Sequence, residues 1–144
     1  MSIRVLEPGD AEQWLPLRRA LWPDAGEARL RAELAAIAAD PAQIALGAFE
    51  DGVLIGFVEL SLHPYAVGCD TSPVAYLEGW YVHASYRGRG VGRQLVAAGE
   101  AWARGLGRRE MASDTWLHND ASHRAHLALG YEETERLIHY RKRL

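Results

Sequence analysis

Cysteine is almost absent from this chain, and Cys69 is the only one among 144 residues. A single thiol excludes an internal disulfide and a cysteine-based zinc cluster. No apolar run approaches the roughly 20 residues that a membrane-spanning helix needs. The first residues, from Met1 to Asp10, are interrupted by charge too early for the apolar segment of a signal peptide. We therefore expect a cytoplasmic protein that does not span a membrane.

The chain also lacks an excess of positive charge. Lysine and arginine together number 16 against 19 aspartate and glutamate residues, so the formal net charge is −3. This balance provides no basic field for a nucleic acid. The histidines show no spacing typical of metal ligands, so no metal site is expected. The length suits a single domain, residues 1–144, which is large enough to bury a core of its own.

The chain does contain a glycine-rich turn between two regular elements. The run Arg87-Gly88-Arg89-Gly90-Val91-Gly92 follows an apolar stretch, residues 74–82, and precedes an amphipathic one, residues 91–106. Glycine has no Cβ, so the backbone N–H groups of this turn can approach an anion closely. The helix that begins there directs its free amides and its positive dipole end to the same place. The turn predicts a pyrophosphate site, and the alternative is an ordinary surface turn that caps a helix.

The residues around the glycines narrow the choice of ligand. A P-loop needs lysine and then serine or threonine after its last glycine, whereas Arg93 and Gln94 stand here. A dinucleotide fingerprint needs two residues between its last two glycines, and here there is only Val91. The pattern Arg-x-x-Gly-x-Gly instead resembles the coenzyme A pyrophosphate loop of the GCN5-related N-acetyltransferases.

Hydrophobic periodicity and turn residues predict the element order β-α-α-β-β-β-α-β-α-β-β. A helix starting near Asp10, with a capping box between Asp10 and Gln13, follows the first strand. Asp51-Gly52 predicts a hairpin, and Gly130 predicts a left-handed helix cap. The last two strands are expected at residues 131–135 and 137–142.

The expected fold class is mixed α/β, with a mostly antiparallel sheet flanked by helices. One parallel pair is predicted, between the strand ending at Val82 and a short strand near Met111, joined by the helix over residues 91–106. Where these two strands splay apart, a cleft opens for an extended ligand. The acetyltransferase fold that the turn resembles has this order and holds its pantetheine arm in such a cleft.

Further segments extend the resemblance over nearly the whole chain, to the aminoglycoside 6′-N-acetyltransferases. The resemblance implies transfer of an acetyl group from acetyl-CoA to the 6′-amine of an aminoglycoside, directly within a ternary complex. It also implies a homodimer. The matching segments are Leu21-Trp22-Pro23, Thr71-Ser72-Pro73-Val74, Leu77-Glu78-Gly79, Ala112-Ser113-Asp114, Tyr131-Glu132-Glu133-Thr134-Glu135-Arg136 and Tyr140-Arg141-Lys142-Arg143.

Coenzyme A contacts are expected on the strand before the turn, in the turn and at the last helix. A strand N–H aimed at the thioester oxygen would stabilise the oxyanion, an effect of about 3 kcal/mol. The alternative is that the strand residues are merely buried. The candidate residues are Trp80, Tyr81, Val82, Arg87, Gly88, Arg89, Gly90, Val91, Gly92, Arg93 and Asn119.

Carboxylates and aromatic rings are the candidates for binding a polycationic sugar. Because the family places substrate contacts at such positions, Glu78, Asp114 and Glu135 are assigned to the ammonium groups. Asp114 is favoured as the substrate ligand and general base, with Glu78 as the other candidate. The resemblance assigns Trp22 and Tyr65 to the sugar rings. The alternative for each carboxylate is a solvated surface group.

One position departs from the family pattern. The spacing of Asn119, His126 and Gly130-Tyr131 resembles the family's Asn…Tyr…Gly-Phe segment, in which the tyrosine often protonates the departing thiolate. His126 stands at the tyrosine position and is a candidate acid, since an unperturbed imidazole titrates near pH 6.5. The alternatives are an ordinary helix residue at His126 and an ordinary helix cap at Asn119.

Two other functions fit the same residues. One is an acetyltransferase of another small amine, such as a polyamine or an amino sugar, because polyamines also bind carboxylates. The other is a non-catalytic acyl-CoA sensor, which would have no use for acidic and aromatic residues around a second pocket.

Overall fold

A computed structural model describes residues 1–144. Two short 3-10 turns, Pro8–Asp10 and Ala84–Tyr86, accompany the regular elements. The strands are β1 (Ser2–Val5), β2 (Gln43–Glu50), β3 (Val53–His63), β4 (Val74–Val82) and β5 (Met111–Ser113). The helices are α1 (Ala11–Leu21), α2 (Glu27–Ala39), α3 (Val91–Gly105) and α4 (Asp120–Ala128).

The five strands form one sheet in the order β1-β2-β3-β4-β5. The first four are antiparallel neighbours, and β5 runs parallel to β4. Asp51 and Gly52 join β2 to β3 with φ values of 49° and 77°, as a tight hairpin turn requires. The mixed α/β class, the hairpin and the parallel pair joined by α3 confirm the sequence-based expectations.

Two hydrophobic clusters lie on the two faces of the sheet. Apolar residues of α1 and α2 pack on one face, where Trp14 and Phe57 are fully buried. The apolar side of α3, including Leu95 and Val96, packs on the other face. The helices thus fix the positions of the strand ends, and in particular the end of β4 that runs into the glycine-rich turn.

A buried ion pair joins α1 to the sheet. Arg18 and Glu59 are 2 % and 3 % exposed. The Arg18 Nε and Nη2 atoms each donate to a Glu59 carboxylate oxygen at 2.8 Å, and the Trp14 indole donates to the same carboxylate at 3.0 Å. The guanidinium also lies over the ring of Trp22 at 4.9 Å. Every charged atom is therefore satisfied, and the pair fixes the end of α1 that carries Trp22.

Replacing Glu59 by glutamine is expected to destabilise the fold by about 3–5 kcal/mol, because it removes the buried counter-ion of Arg18 and leaves only the partly exposed Glu33. Urea denaturation followed by circular dichroism would measure the change. Glu33 offers a matched control, since it also contacts Arg18 but its side chain is 40 % exposed. Glu33→Gln should cost less than about 1 kcal/mol, and equal losses in both variants would contradict the argument.

The C-terminal segment differs from the expectation. Residues 131–144 form no strand, so the predicted strands at 131–135 and 137–142 are wrong for this structure. The alternating pattern is present, but no sheet edge pairs with it, and its apolar side chains remain exposed. Leu137 is 60 % exposed and Ile138 is 78 % exposed.

The predicted capping box at the start of α1 is also wrong. The Asp10 carboxylate instead accepts from the N–H of Glu7 and pairs with Arg4. Gln13 bonds to the backbone of Gly52 and Leu54 at the hairpin, where it ties α1 to the sheet. No helix combines the length and the apolar character needed to cross a membrane.

Candidate active site

The glycine-rich turn presents a row of free amides. Gly88 and Gly90 adopt φ values of 76° and 80°, and a Cβ built on either would meet nothing within 4 Å. Gly90 is also the residue that precedes α3. From Gly88 to Arg93, no main-chain N–H donates to any acceptor of the protein. Consecutive free amides at a helix N-terminus, with open space before them, are the arrangement that binds a phosphate group.

The turn is fixed to the strand that precedes it. The Arg87 Nε donates to the carbonyl of Val82 at 2.8 Å, and the guanidinium lies 5.4 Å from the centre of the Tyr81 ring. A Cβ at Gly92 would lie 3.1 Å from the indole nitrogen of Trp80. The expected coenzyme A residues on β4 and in the turn are therefore neighbours in space.

Beside the turn, β4 and β5 separate. The parallel pairing covers only Ala75–Leu77 of β4, matched to Met111–Ser113 of β5. The rest of β4, residues 78–82, has no strand on that side. Apart from the Val82 carbonyl, which accepts from Arg87, the main-chain groups on this edge therefore have no strand partner. Trp80, Tyr81 and Val82 lie in this unpaired part.

Glu78 occupies an irregularity in β4. The β3–β4 register shifts between Glu59 and Leu60, so Glu78 is the extra residue of a β-bulge. A bulge redirects a side chain, and the Glu78 carboxylate is 39 % exposed beside the strand separation. It accepts a hydrogen bond from the Ser61 hydroxyl at 2.6 Å and contacts the His63 Nε2 at 2.5 Å. The acid within an apolar strand is thus explained by partners on β3.

Asp114 follows β5 directly and is also held by a neighbour. The Tyr76 hydroxyl donates to its Oδ2 at 2.5 Å. Burial, followed by the hydrogen bond to Asp114 and the charges of Asp114 and Glu78, raises the pKa of Tyr76 above its ordinary value. The phenol therefore remains a proton donor at neutral pH. The two carboxylates favoured from sequence therefore both lie near one tyrosine.

Sequence reasoning missed Ser61, His63 and Tyr76. The available signal was the two-residue period of a strand, which puts Tyr76 on the same face as Glu78 and Ser61 on the same face as His63. The register of β3 against β4 then brings the two pairs together, because Ser61 is the cross-strand partner of Tyr76. That register could not be read from the sequence.

Two aromatic candidates lie in different settings. Trp22 is partly buried, and a Cβ at Gly79 would lie only 2.6 Å from its ring. The ring is therefore next to Glu78 along β4. Tyr65 is 69 % exposed, in the loop between β3 and β4.

Glu135 lies in the C-terminal segment and is exposed. Its neighbour Thr134 contacts Gly68, where a Cβ would lie 2.5 Å from the threonine methyl group. This contact joins the C-terminal segment to the loop that carries Tyr65. The structure gives the Glu135 carboxylate no hydrogen-bond partner, so no hydrogen bond joins it to Glu78 or Asp114.

The last helix bears the two remaining candidates. The Asn119 side chain accepts from the N–H of Ser122 at 3.1 Å and so caps α4. The His126 Nδ1 donates to the Ser122 carbonyl at 2.7 Å, and its Nε2 lies 2.8 Å from the Ser113 hydroxyl. The ring meets Trp80 edge-on at 5.3 Å. His126 therefore lies against β4 and β5 at the point where they separate.

The residues brought together form two adjoining surfaces. One is made of main-chain amides at residues 88–93 and the free edge of β4. The other is made of the carboxylates of Glu78 and Asp114, with Trp22 beside them. No group of three or more histidine, cysteine, aspartate or glutamate side chains is arranged to hold a metal.

Comparison with known proteins identifies the family of this chain. Residues 12–131 match the Acetyltransferase (GNAT) family. An aminoglycoside N(6′)-acetyltransferase type 1 from Salmonella enteritidis is 46 % identical over 144 residues, which cover 99 % of both chains. The enzyme of that name from Stenotrophomonas maltophilia is 44 % identical over 97 % of this chain and 92 % of its own.

Solved structures show the same likeness. The aminoglycoside N-acetyltransferase AAC(6′)-Iy in complex with CoA superimposes with a TM-score of 0.94 at 45 % identity, covering 99 % of this chain and 95 % of that one. The same enzyme with a bisubstrate analogue, CoA-S-monomethyl-acetylneamine, gives a TM-score of 0.93 at 45 % identity, covering 99 % of this chain and 98 % of that one. The chain belongs to the GNAT acetyltransferase family, in its aminoglycoside N(6′)-acetyltransferase branch.

Proposed function

We propose that this protein transfers an acetyl group from acetyl-CoA to the 6′-amine of aminoglycosides. The observation that carries the proposal is the row of free amides from Gly88 to Arg93, at the separation of β4 and β5, with two carboxylates beside it. The amides suit a pyrophosphate, and the carboxylates suit a polycation. Relatives that are 44 % and 46 % identical are named aminoglycoside N(6′)-acetyltransferase type 1, which supports the proposal.

Acetyl-CoA supplies an activated thioester. In direct transfer the amine nitrogen attacks the carbonyl carbon, a C–N bond forms and the C–S bond breaks. One proton leaves the nitrogen, and one proton is taken up by the thiolate. The chain must therefore bind both partners together, stabilise charge on the carbonyl oxygen and accept the amine proton.

Residues of β4 and β5 are suited to these tasks. An unpaired N–H on residues 80–82 would donate to the carbonyl oxygen as it becomes negative, a contribution of about 3 kcal/mol. Asp114 is the proposed ligand of the substrate ammonium and the proposed base, and Glu78 is its partner in the same site. Trp22 provides an apolar surface for a sugar ring next to Glu78. Tyr65 and Glu135 would contact the more distant parts of the sugar.

Thiol release from acetyl-CoA tests the function directly. Kanamycin, spermidine and a peptide with a free N-terminus would be compared as acceptors, each with and without protein. We expect release with kanamycin only, and NMR of the product should show the acetyl group on the 6′-nitrogen. Release with spermidine alone would favour another amine acetyltransferase, and binding of acetyl-CoA without release would favour a sensor.

His126 is the proposed acid that protonates the thiolate. We expect His126→Phe to lower kcat by about 100-fold, the lower range of general acid catalysis, while CoA affinity is retained. Steady-state kinetics between pH 6 and 9 would measure it, with His123→Phe, on the same helix and 40 % exposed, as the matched control. An unchanged kcat and pH profile would leave His126 as a packing residue against Trp80.

We also propose a homodimer, joined through the C-terminal segment. The sheet ends at β5, which has only three residues, and the segment after Tyr131 leaves Leu137, Ile138 and Tyr140 at least 60 % exposed. A second copy would cover these apolar side chains. We expect Ile138→Asp to convert a dimer to a monomer in light scattering, whereas Lys142→Asp should not. A monomeric wild-type protein would refute this.

The proposed site of action is the cytoplasm. The one cysteine, Cys69, is a free thiol, which is compatible with a reducing compartment. Burial and the nearby Glu110 raise its pKa, which favours the thiol over the more reactive thiolate.

A further inference from the structure

Glu110 holds the β3–β4 loop, residues 64–73, from the start of β5. Its Oε1 accepts hydrogen bonds from the main-chain N–H groups of Asp70 and Thr71, at 2.9 and 2.8 Å, and from the Thr71 hydroxyl. We propose that Glu110 is a positioning residue that fixes this loop and thereby determines the affinity for aminoglycosides that extend beyond the rings nearest the 6′-amine. The inference rests on the proposed function, to which it adds a determinant of substrate size.

A second set of bonds carries this restraint to Tyr65. The Ser72 hydroxyl donates to the carbonyl of Pro64 at 2.6 Å, so the two ends of the loop are joined. Within the loop, the N–H of Cys69 donates to the carbonyl of Ala66 at 3.1 Å, and Ala66 is buried. Tyr65 therefore lies between two fixed residues, Pro64 and Ala66. Its ring is 69 % exposed and free to contact a ligand.

The same loop contacts the C-terminal segment. Gly68 lies against Thr134, which directly precedes Glu135. A loosened loop would therefore displace both Tyr65 and Glu135, the two proposed contacts for the more distant parts of the sugar. The carboxylates proposed to lie nearest the reacting amine are held by other partners, on β3 and β4. The effect of the anchor should thus depend on the size of the substrate.

The charge on Glu110 strengthens the anchor. Hydrogen bonds from the Thr71 hydroxyl and from its N–H hold the pKa of the Glu110 carboxyl below its ordinary value. The carboxylate is ionised at neutral pH, and bonds to an ionised acceptor are about twice as strong as neutral ones. Nearby, the Arg108 Nη1 donates to the carbonyl of Pro73 at 3.3 Å. The segment before β5 therefore restrains the loop at the point where it enters β4.

Amide hydrogen exchange followed by NMR tests the anchor in the absence of substrate. We expect the N–H groups of Asp70 and Thr71 to exchange at least about tenfold faster in Glu110→Ala, because they lose their acceptor. Exchange within β4 should not change. Glu12→Ala is the matched control, since Glu12 is an exposed carboxylate on α1 and its loss removes the same charge. Equal exchange in the wild type and in Glu110→Ala would overturn the proposal.

Two acceptors of different size test the specificity. Neamine carries the 6′-amine, and kanamycin B is neamine with one further sugar ring. In Glu110→Ala the KM for kanamycin B should rise about tenfold, because binding must then order the loop, whereas the KM for neamine should change less than about twofold. The kcat for both acceptors should stay within a factor of about two. Glu12→Ala should behave as the wild type.

Thr71→Val is a second variant, which keeps the carboxylate and removes the hydroxyl donor. It should raise the KM for kanamycin B in the same direction and by a smaller factor. Combined with Glu110→Ala it should add little, because both changes act on one contact. Fully additive effects would overturn the proposal. If Glu110→Ala does not fold, Thr71→Val decides, and an unchanged KM for kanamycin B would overturn it.

The outcomes separate this inference from the proposed function. If the wild type acetylates both acceptors and Glu110→Ala affects them equally, Glu110 is merely structural, so the inference fails and the function stands. If the wild type acetylates neither acceptor, the proposed function fails and the specificity role fails with it. The exchange experiment involves no substrate, so it reports on the anchor in either case.

Discussion

Replacing Gly90 by valine should reduce the affinity for CoA by at least about 100-fold, or about 2.8 kcal/mol. Gly90 has a φ of 80° and precedes α3, in a conformation that a β-branched residue adopts only with strain. Relief of that strain would turn the free amides away from a common point. Losing two hydrogen bonds to a charged phosphate accounts for this magnitude, at about 1.5–3 kcal/mol each. Isothermal titration calorimetry with CoA measures it.

Gly107 provides the matched control for this experiment. It has a φ of 77° and open space where a Cβ would stand, but it follows α3 instead of preceding it. Valine at either position should cost a similar free energy of unfolding, of order 1–3 kcal/mol. Only Gly90→Val should lose affinity for CoA. If both variants bind CoA as tightly as the wild type, the turn is not the pyrophosphate site.

Asp114→Asn should lower kcat/KM for kanamycin by about 100-fold while the affinity for CoA stays within a factor of two. The substitution keeps the shape of the side chain and leaves an oxygen to accept from Tyr76. It removes the charge that attracts an ammonium group and the group that accepts its proton. Kinetics with varied kanamycin, together with calorimetry of CoA, separates the two effects.

Asp51→Asn is the control for charge alone. Asp51 is exposed at the hairpin between β2 and β3, and asparagine tolerates its φ of 49°. Its loss of one negative charge should leave kcat/KM nearly unchanged. An equal decrease in both variants would mean that net charge, and not the position of Asp114, governs the encounter with a cationic substrate.

Local patterns were sufficient to predict most of the fold. The apolar stretch at residues 74–82 coincides with β4. In α2, Leu30, Leu34 and Ile37 repeat at the helical period, and Asp40-Pro41 follows the end of the helix, so this element too is encoded locally. The Asp51-Gly52 turn and the left-handed conformation of Gly130 were also predicted from short local motifs. The C-terminal strands were not predictable in this way, since a strand needs a partner and none is adjacent to residues 131–144.

In the candidate site, too, features encoded by local sequence could be predicted and features that depend on distant residues could not. The glycine-rich turn before α3 could be predicted from sequence because it depends on backbone conformation, which short motifs encode. The contacts of Glu78 were not found, because they depend on a bulge between Glu59 and Leu60 and on the side chains of another strand. Likewise, nothing local links Tyr76 to Asp114, which are 38 positions apart. Long-range pairing is the information that a single sequence does not display.

The splayed end of β4 gives the two halves of the site different evolutionary freedom. In the proposed site, acetyl-CoA would be bound mainly by peptide groups, which every amino acid possesses, so most side-chain substitutions there would change little. The aminoglycoside would be bound by carboxylates and aromatic rings, each of which a change in a single codon can alter. Substitutions in the aminoglycoside part of the proposed site could therefore change the substrate range while binding of acetyl-CoA is retained.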